Sequence, residues 1–331
     1  MNIDEAFHQL GKWGRYQSVI FIIVFAASLP NAFTTMQFAI NHFQPSHRCR
    51  LSDEIENILK NNSNSVENLL DYFIPMETNN YGKLSKSKCH MYHRNYSTAL
   101  SLINLNESVD IIPCTNGYIF DMLPNHDTAV TEFEMICNND WKSPLAITVF
   151  QSGMASGSIA GILADRYGRR PVYLFATLAQ IISMAITAAS WDFYSYLVAV
   201  YFGGMTGLIN YVVAFVLVTE VISIKSRNFM AVGSMYSYSV GYATFDWILC
   251  AKLACLHMGI HGTQCLSIST GLLVFPESPR WLSTVGRTNA AIAGLNKMAK
   301  MNRKKVDFER LRKVRDRSRL LCNSVPLKKL Q

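Results

Sequence analysis

The sequence predicts an all-α membrane protein, and three features carry that expectation. Long apolar runs recur near the ~20 residues needed to cross a bilayer. Basic clusters sit at one side of those runs. A polar stretch with four cysteines and three glycosylation acceptors, residues 42–143, separates the first run from the rest. The 331 residues are only half hydrophobic, with a mean hydropathy of +0.12. That ordinary average arises because residues 42–143 and a basic tail at 280–331 dilute the apolar runs.

Residues 1–15 are read as a cytoplasmic amphipathic helix. Ile3, Phe7, Leu10 and Trp13 recur at helical spacing, which suits a helix lying on the inner membrane surface. Residues 16–41 form the first span. Pro30 and Asn31 interrupt it near mid-depth, so it can line a cavity with Asn31 as a substrate contact. A plain proline kink is the other reading.

Residues 42–143 form the loop. Its sequons are Asn61, Asn95 and Asn106, and its cysteines are Cys49, Cys89, Cys114 and Cys137. Together they place it in an oxidising, extracellular compartment. Four cysteines allow three pairings, and spacing does not choose among them.

Residues 144–275 hold spans two to six. The second covers 144–164 and carries Gly153, Gly157 and Gly161 at four-residue spacing, a small-residue face for a neighbouring helix. The third covers 172–189, and a turn at Trp191-Asp192 leads into the fourth, 193–218. The fifth runs from 229 toward 255 and is less apolar. Asp246 lies inside it, where an acid is costly and functional by default. Asp246 either contacts a cationic substrate or pairs with Lys252 at the outer interface. The sixth, 265–275, is short for a span before Pro276.

Residues 276–331 form the basic tail. Residues 280–331 hold 15 of the 31 Lys and Arg against three acids, and the net charge is +8. This reads as a solvated cytoplasmic face, with contact to anionic lipid as an addition. Lys12, Arg15, Arg166 to Arg170, Lys225, Arg227 and the tail fall on one side, so both termini are expected in the cytoplasm of a multi-pass plasma-membrane protein.

Several classes are excluded. No nucleic-acid motif accompanies the basic charge, so no nucleic-acid partner is expected. No phosphate-binding loop supports ATP-driven pumping, no nucleophile–base arrangement supports an enzyme, and no cofactor is expected. His257 and His261 share an i, i+4 face but lack a third ligand, so no metal site is expected.

Five motifs then carry a family resemblance. They are Gly161–Arg170, Phe43–Arg50, Thr131–Trp141, Thr219-Glu220 with Arg227, and Pro276–Leu282. In that order the chain resembles the N-terminal half of an organic cation, anion and carnitine transporter, solute carrier family 22 of the major facilitator superfamily. The resemblance implies an N-terminal six-helix bundle of two inverted repeats, with the large loop between helices 1 and 2 and a sixth helix that is short here. It also implies a cytoplasmic gating network of Asp165, Arg166, Gly168, Arg169, Arg170, Glu220, Arg227, Glu277 and Arg280. Topology signalling by the arginines, and a helix stop at Pro276, are the plainer readings.

By the family pattern, Asn210, Tyr211, Phe215, Met235 and Tyr238 face substrate, with helix packing as the alternative for each aromatic. Aromatic faces attract organic cations. The expected function is therefore alternating-access transport of small organic ions, with a cation or a zwitterion such as carnitine favoured. The partners are the substrate and the lipid bilayer. Family members continue through six further helices, so a second expectation is a truncated, non-transporting isoform that associates with or regulates a full-length relative, whereas transport by a half-length chain would need a homodimer. A glycosylated receptor fits the loop but leaves Asp165 to Arg170 unexplained.

Overall fold

The structure is a computed structural model that describes residues 3–11, 13–61, 66–78, 82, 84–93, 110–121, 128–222, 226–250 and 277–304. It divides into two compact units. One joins residues 1–39 to 145–331, and the other is Ile40–Pro144.

The chain opens with helix α1, Ile3–Leu10. Ala6, Phe7 and Leu10 are buried in the core that also holds Leu295, Met298 and Ala299. Within the 1–15 segment, the helix covers Ile3–Leu10, and Phe7 and Leu10 of its apolar face pack against protein while Trp13 beyond it is exposed.

Helix α2 runs from Arg15 to Asn41 as one 27-residue element. It passes position 30 without a break, where the sequence suggested an interruption. A proline deletes one ladder donor, and a long apolar helix held by neighbours absorbs that loss. Side-chain hydroxyls add local acceptor contacts: Ser28 Oγ donates to Val24 O at 2.8 Å and Thr35 Oγ1 to Asn31 O at 3.0 Å.

The Ile40–Pro144 unit is built from short pieces. Strand β1 (His47–Cys49) is followed by helices α3 (Asp53–Asn61) and α4 (Val66–Phe73), then β2 (Met76–Thr78), β3 (Leu84–Lys86), β4 (His90–Tyr92), β5 (Ile111–Pro113) and β6 (Tyr118–Phe120). Among the described residues the strands form three antiparallel ribbons, β1–β6, β2–β3 and β4–β5, with His47 opposite Phe120 and His90 opposite Pro113. Helix α5 (Ala129–Glu132) is capped by Thr128, whose hydroxyl accepts from the Thr131 N–H.

The unit's core is small: Cys49, Leu51, Ile55, Phe73, Ile74 and Met91. Disulfides Cys49–Cys114 and Cys89–Cys137 staple it, resolving the pairing that spacing left open. Cys89 and Cys137 also lie close to His47. Both sulfurs are spent on each other, so the trio is not a metal site as built. The Asn61, Asn95 and Asn106 side chains lie outside the described residues.

The helices of the other unit follow. They are α6 (Lys142–Gly157), α7 (Ala160–Tyr167), α8 (Arg169–Ala188), α9 (Phe193–Val221) and α10 (Arg227–Cys250). Among the described residues, four segments are long and apolar enough to cross a membrane: Arg15–Asn41, Cys137–Tyr167, Arg169–Ala188 and Phe193–Val221.

Helix α8 shows why this is a membrane pattern. Its inward face carries Thr177, Gln180 and Ser183, all buried, while Phe175, Leu178, Ile182 and Ile186 are exposed. Polar side chains inside and apolar ones outside invert the rule for water-soluble helices. The expected fifth span is helical as far as Cys250, and the sixth, 265–275, lies outside the described residues.

Gly153 and Gly157 let α6 lie against α9. A Cβ on Gly153 would press on the Tyr201 carbonyl oxygen, and one on Gly157 would come within 2.6 Å of Met205 O. Gly161 faces open space. A two-residue turn at 158–159 separates α7 from α6. In it, Ser158 N–H and Ile159 N–H bond three residues back, and the Ser156 and Ser158 hydroxyls also bond carbonyls three back.

Two short helices close this unit. Helix α11 (Pro279–Thr284) is capped by Ser278, and helix α12 (Thr288–Met301) buries Ala291, Leu295, Met298 and Ala299. Asn302 then ties the tail to the start of α2. Its Oδ1 accepts from the Tyr16 N–H at 2.9 Å and its Nδ2 donates to Gln17 Oε1 at 2.9 Å.

Candidate functional site

A cavity of about 450 Å³ lies among α2, α6, α8, α9 and α10. Helix α2 contributes Asn31, Thr34 and Thr35; α6 contributes Phe150 and Met154; α8 contributes Gln180. Helix α9 contributes Gly203, Gly204, Gly207, Leu208 and Tyr211, and α10 contributes Met235, Tyr238, Ser239 and Tyr242. The size and the mostly apolar wall with a few convergent polar groups suit a small-molecule site.

Aromatic rings form one part of the wall. Tyr238 packs edge-on to Tyr211 at 5.1 Å and to Tyr242 at 5.9 Å. The Tyr211 hydroxyl lies 3.5 Å from Met235 Sδ. Amides and hydroxyls form another part. Gln180 Nε2 donates to Asn31 Oδ1 at 3.0 Å, and Asn210 Nδ2 donates to Gln180 Oε1 at 2.5 Å. Among the described residues lining the cavity, none is charged. What these residues present to a ligand is ring faces and oriented dipoles.

Of the residues the sequence singled out for substrate, Asn31, Tyr211, Met235 and Tyr238 line this cavity. Asn210 does not. It is buried behind the wall, bonded to Gln180 and to the Thr177 hydroxyl. Phe215 stacks on Tyr211 and faces a separate void of about 10 Å³, with room for one water at most. The side chain of Asp246 lies outside the described residues. Gln180, Thr34, Thr35 and Tyr242 were not anticipated. The available signal was a glutamine inside the third apolar run, since polar groups at that depth need partners.

The second constellation gathers where α7 meets α8. The Arg169 guanidinium lies 2.7 Å from Glu220 and 2.7 Å from Asp165, and donates to Ala164 O at 2.9 Å. Glu277 accepts from the Arg169 N–H at 2.9 Å and the Arg170 N–H at 3.4 Å. Both donors head α8, where unpaired amides and the helix dipole favour a carboxylate.

Arg280 Nε donates to Glu220 O at 3.0 Å, and its guanidinium covers the Phe7 ring at 4.9 Å. Trp281 Nε1 donates to Asp165 O at 2.7 Å. Gly168 makes the junction possible, with φ 106° and ψ 157° and the Trp281 ring against it. Only glycine adopts that backbone freely. Arg166 is exposed beside the Tyr167 ring. Arg227 heads α10 and has no ion pair among the described residues.

The chain matches the model of the family described as "Sugar (and other) transporter" over residues 87–322. It is 32% identical to mouse solute carrier family 22 member 4 over 319 residues, 90% of this chain and 54% of that protein. Human organic cation/carnitine transporter 2 is 31% identical over 317 residues, with the same coverage. A beta-alanine transporter of Drosophila melanogaster is 30% identical over 344 residues, 95% of this chain and 54% of that protein. The chain thus spans about half the length of the curated relatives it matches. This is a family of membrane transporters and not of enzymes. With its match over residues 87–322, its apolar-outside helices and the cavity between them, the chain belongs to the family of sugar and other transporters.

Proposed function

We propose that this chain takes part in carrying small organic ions across the plasma membrane by alternating access, with cations and zwitterions such as carnitine favoured. The cavity bounded by Tyr211, Tyr238 and Tyr242 carries the proposal. It offers several ring faces, each worth about 0.5–2 kcal/mol to an organic cation, more when desolvated. The names of the solute carrier and carnitine transporter relatives point the same way.

In this reading the helices form a six-helix bundle of the major facilitator type. Both termini and the Arg169–Glu220–Glu277 cluster face the cytoplasm. The cluster acts as a latch for the outward-open state. Residues 42–143 stand outside and carry sugar at Asn61, Asn95 and Asn106.

The test is uptake of labelled tetraethylammonium, carnitine and an aromatic organic anion by cells expressing this chain, with surface biotinylation in parallel. Saturable uptake of the first or second is the expected result. Clear surface expression with no uptake would reject autonomous transport and favour association with a full-length relative.

A further inference from the structure

The cavity wall is backed by a directed chain of hydrogen bonds that no cavity-facing residue reveals by itself. It starts at Thr177, whose hydroxyl proton is shared between Tyr173 O at 2.8 Å and Asn210 Oδ1 at 3.1 Å. Asn210 Nδ2 then donates to Gln180 Oε1 at 2.5 Å, and Gln180 Nε2 donates to Asn31 Oδ1 at 3.0 Å. Each carboxamide has one donor end and one acceptor end, so the links run head to tail. Reversing one reverses all of those downstream.

Thr177, Gln180 and Asn210 are 3%, 2% and 3% exposed, so water does not replace these bonds. The Asn31 carbonyl oxygen already accepts from Gln180, which fixes which end of the amide lies at the helix α8 side. Its Nδ2 hydrogens are the donors that this orientation leaves for a ligand.

We infer that Gln180 is a positioning residue for specificity, holding the Asn31 amide with its N–H₂ toward the cavity to take a hydrogen-bond acceptor of the substrate. The inference rests on reading this cavity as a substrate site. The same cavity presents the rings of Tyr211, Tyr238 and Tyr242. A ligand that uses both features is an organic cation that also carries a carboxylate or another strong acceptor.

The test compares γ-butyrobetaine with n-butyltrimethylammonium, which share a trimethylammonium head and a four-carbon chain and differ in the carboxylate. Affinities are measured by calorimetry on the purified full chain in nanodiscs. Wild type should bind the carboxylate-bearing probe about tenfold or more tightly, the scale of one hydrogen bond to a charged group. Asn31→Ala and Gln180→Met should each reduce that preference to about twofold or less. Gln180→Met should change nothing further in the Asn31→Ala background, as expected if Gln180 acts through Asn31. A purely structural role for Gln180 weakens both probes alike and leaves the ratio intact.

Should Gln180→Met fail to fold, Gln180→Glu is nearly isosteric and accepts from both amides, which reverses Asn31. Its effect on the ratio should then shrink in the Asn31→Ala background, where only its charge acts. Equal binding of both probes by wild type overturns the inference and leaves the substrate site standing. A ratio moved by Asn31→Ala but by neither Gln180 variant overturns the role of Gln180. Binding of neither probe overturns the inference and the substrate-site reading together.

Discussion

The guanidinium of Arg169 lies 2.7 Å from a Glu220 carboxylate oxygen, with the arginine side chain 8% and the glutamate side chain 19% exposed. The same guanidinium also meets Asp165 at 2.7 Å, but that carboxylate is 72% exposed. One cation thus serves a withdrawn partner and a solvated one, and the two contacts differ in energy. Arg169→Ala strands the Glu220 carboxylate and should destabilise the folded chain by about 3–5 kcal/mol. Asp165→Ala should cost about 0–1 kcal/mol. Thermal unfolding of both variants in detergent checks the ordering, and equal losses would contradict it.

Gly168→Ala should destabilise by about 1–3 kcal/mol, because φ 106° and ψ 157° form a region essentially reserved for glycine. A Cβ there would also come within 3.0 Å of Glu277 Oε2 and 3.1 Å of the Trp281 ring. The loss should appear as lower stability together with increased hydrogen exchange at the Arg169 and Arg170 amides, which Glu277 accepts.

The glycine stripe of the second span should split by sign. Gly153→Ala forces α6 away from the Tyr201 carbonyl and should cost about 1–3 kcal/mol. Gly161→Ala meets nothing within 4 Å and sits inside α7, so it should stabilise by about 0.5–1 kcal/mol. Denaturation midpoints of the two variants give the comparison.

These glycines show how far the sequence was legible. Four-residue spacing correctly marked a close-packed face at Gly153 and Gly157. It missed Gly161 because a helical wheel assumes an unbroken helix, and the serine-lined turn at 158–159 breaks it. The spans at 16–41, 172–189 and 193–218 were legible for a simpler reason: apolar length is a local property. The amphipathic start of the chain was legible as a helix but not in its partner, since Leu295 and Met298 lie far along the sequence.

For the cavity, Tyr211, Met235 and Tyr238 were reached by their positions in the family pattern, and Asn31 by its place beside Pro30 inside an apolar run. Gln180 was not. Its role depends on bonds to Asn31 and Asn210 across three helices, which linear spacing does not encode.

The Ile40–Pro144 unit should lose stability in acid through Glu56. Burial raises the Glu56 pKa, but two hydrogen bonds from Arg48, at 2.6 and 2.8 Å, the Leu51 N–H and the charges of Arg48 and Arg50 outweigh it. The folded carboxyl therefore ionises below its ordinary value of 4.5. A group depressed on folding stabilises above its unfolded pKa, and that contribution disappears as pH falls through the folded value. Hydrogen exchange of α3 in the full chain should be flat above pH 4.5 once corrected for intrinsic rates, and should rise below it. Glu56→Gln should remove most of that dependence.

The most direct test of the central claim, that this cavity receives small organic ions during transport, is saturable uptake of labelled tetraethylammonium. Cells displaying the wild-type chain are compared with Tyr238→Ala, at surface levels matched by biotinylation. Saturable wild-type uptake is expected, with a KM raised about 2- to 30-fold in the variant, the range for losing one aromatic face. Saturable uptake with an unchanged KM in Tyr238→Ala, or no saturable uptake from a chain present at the surface, would contradict it.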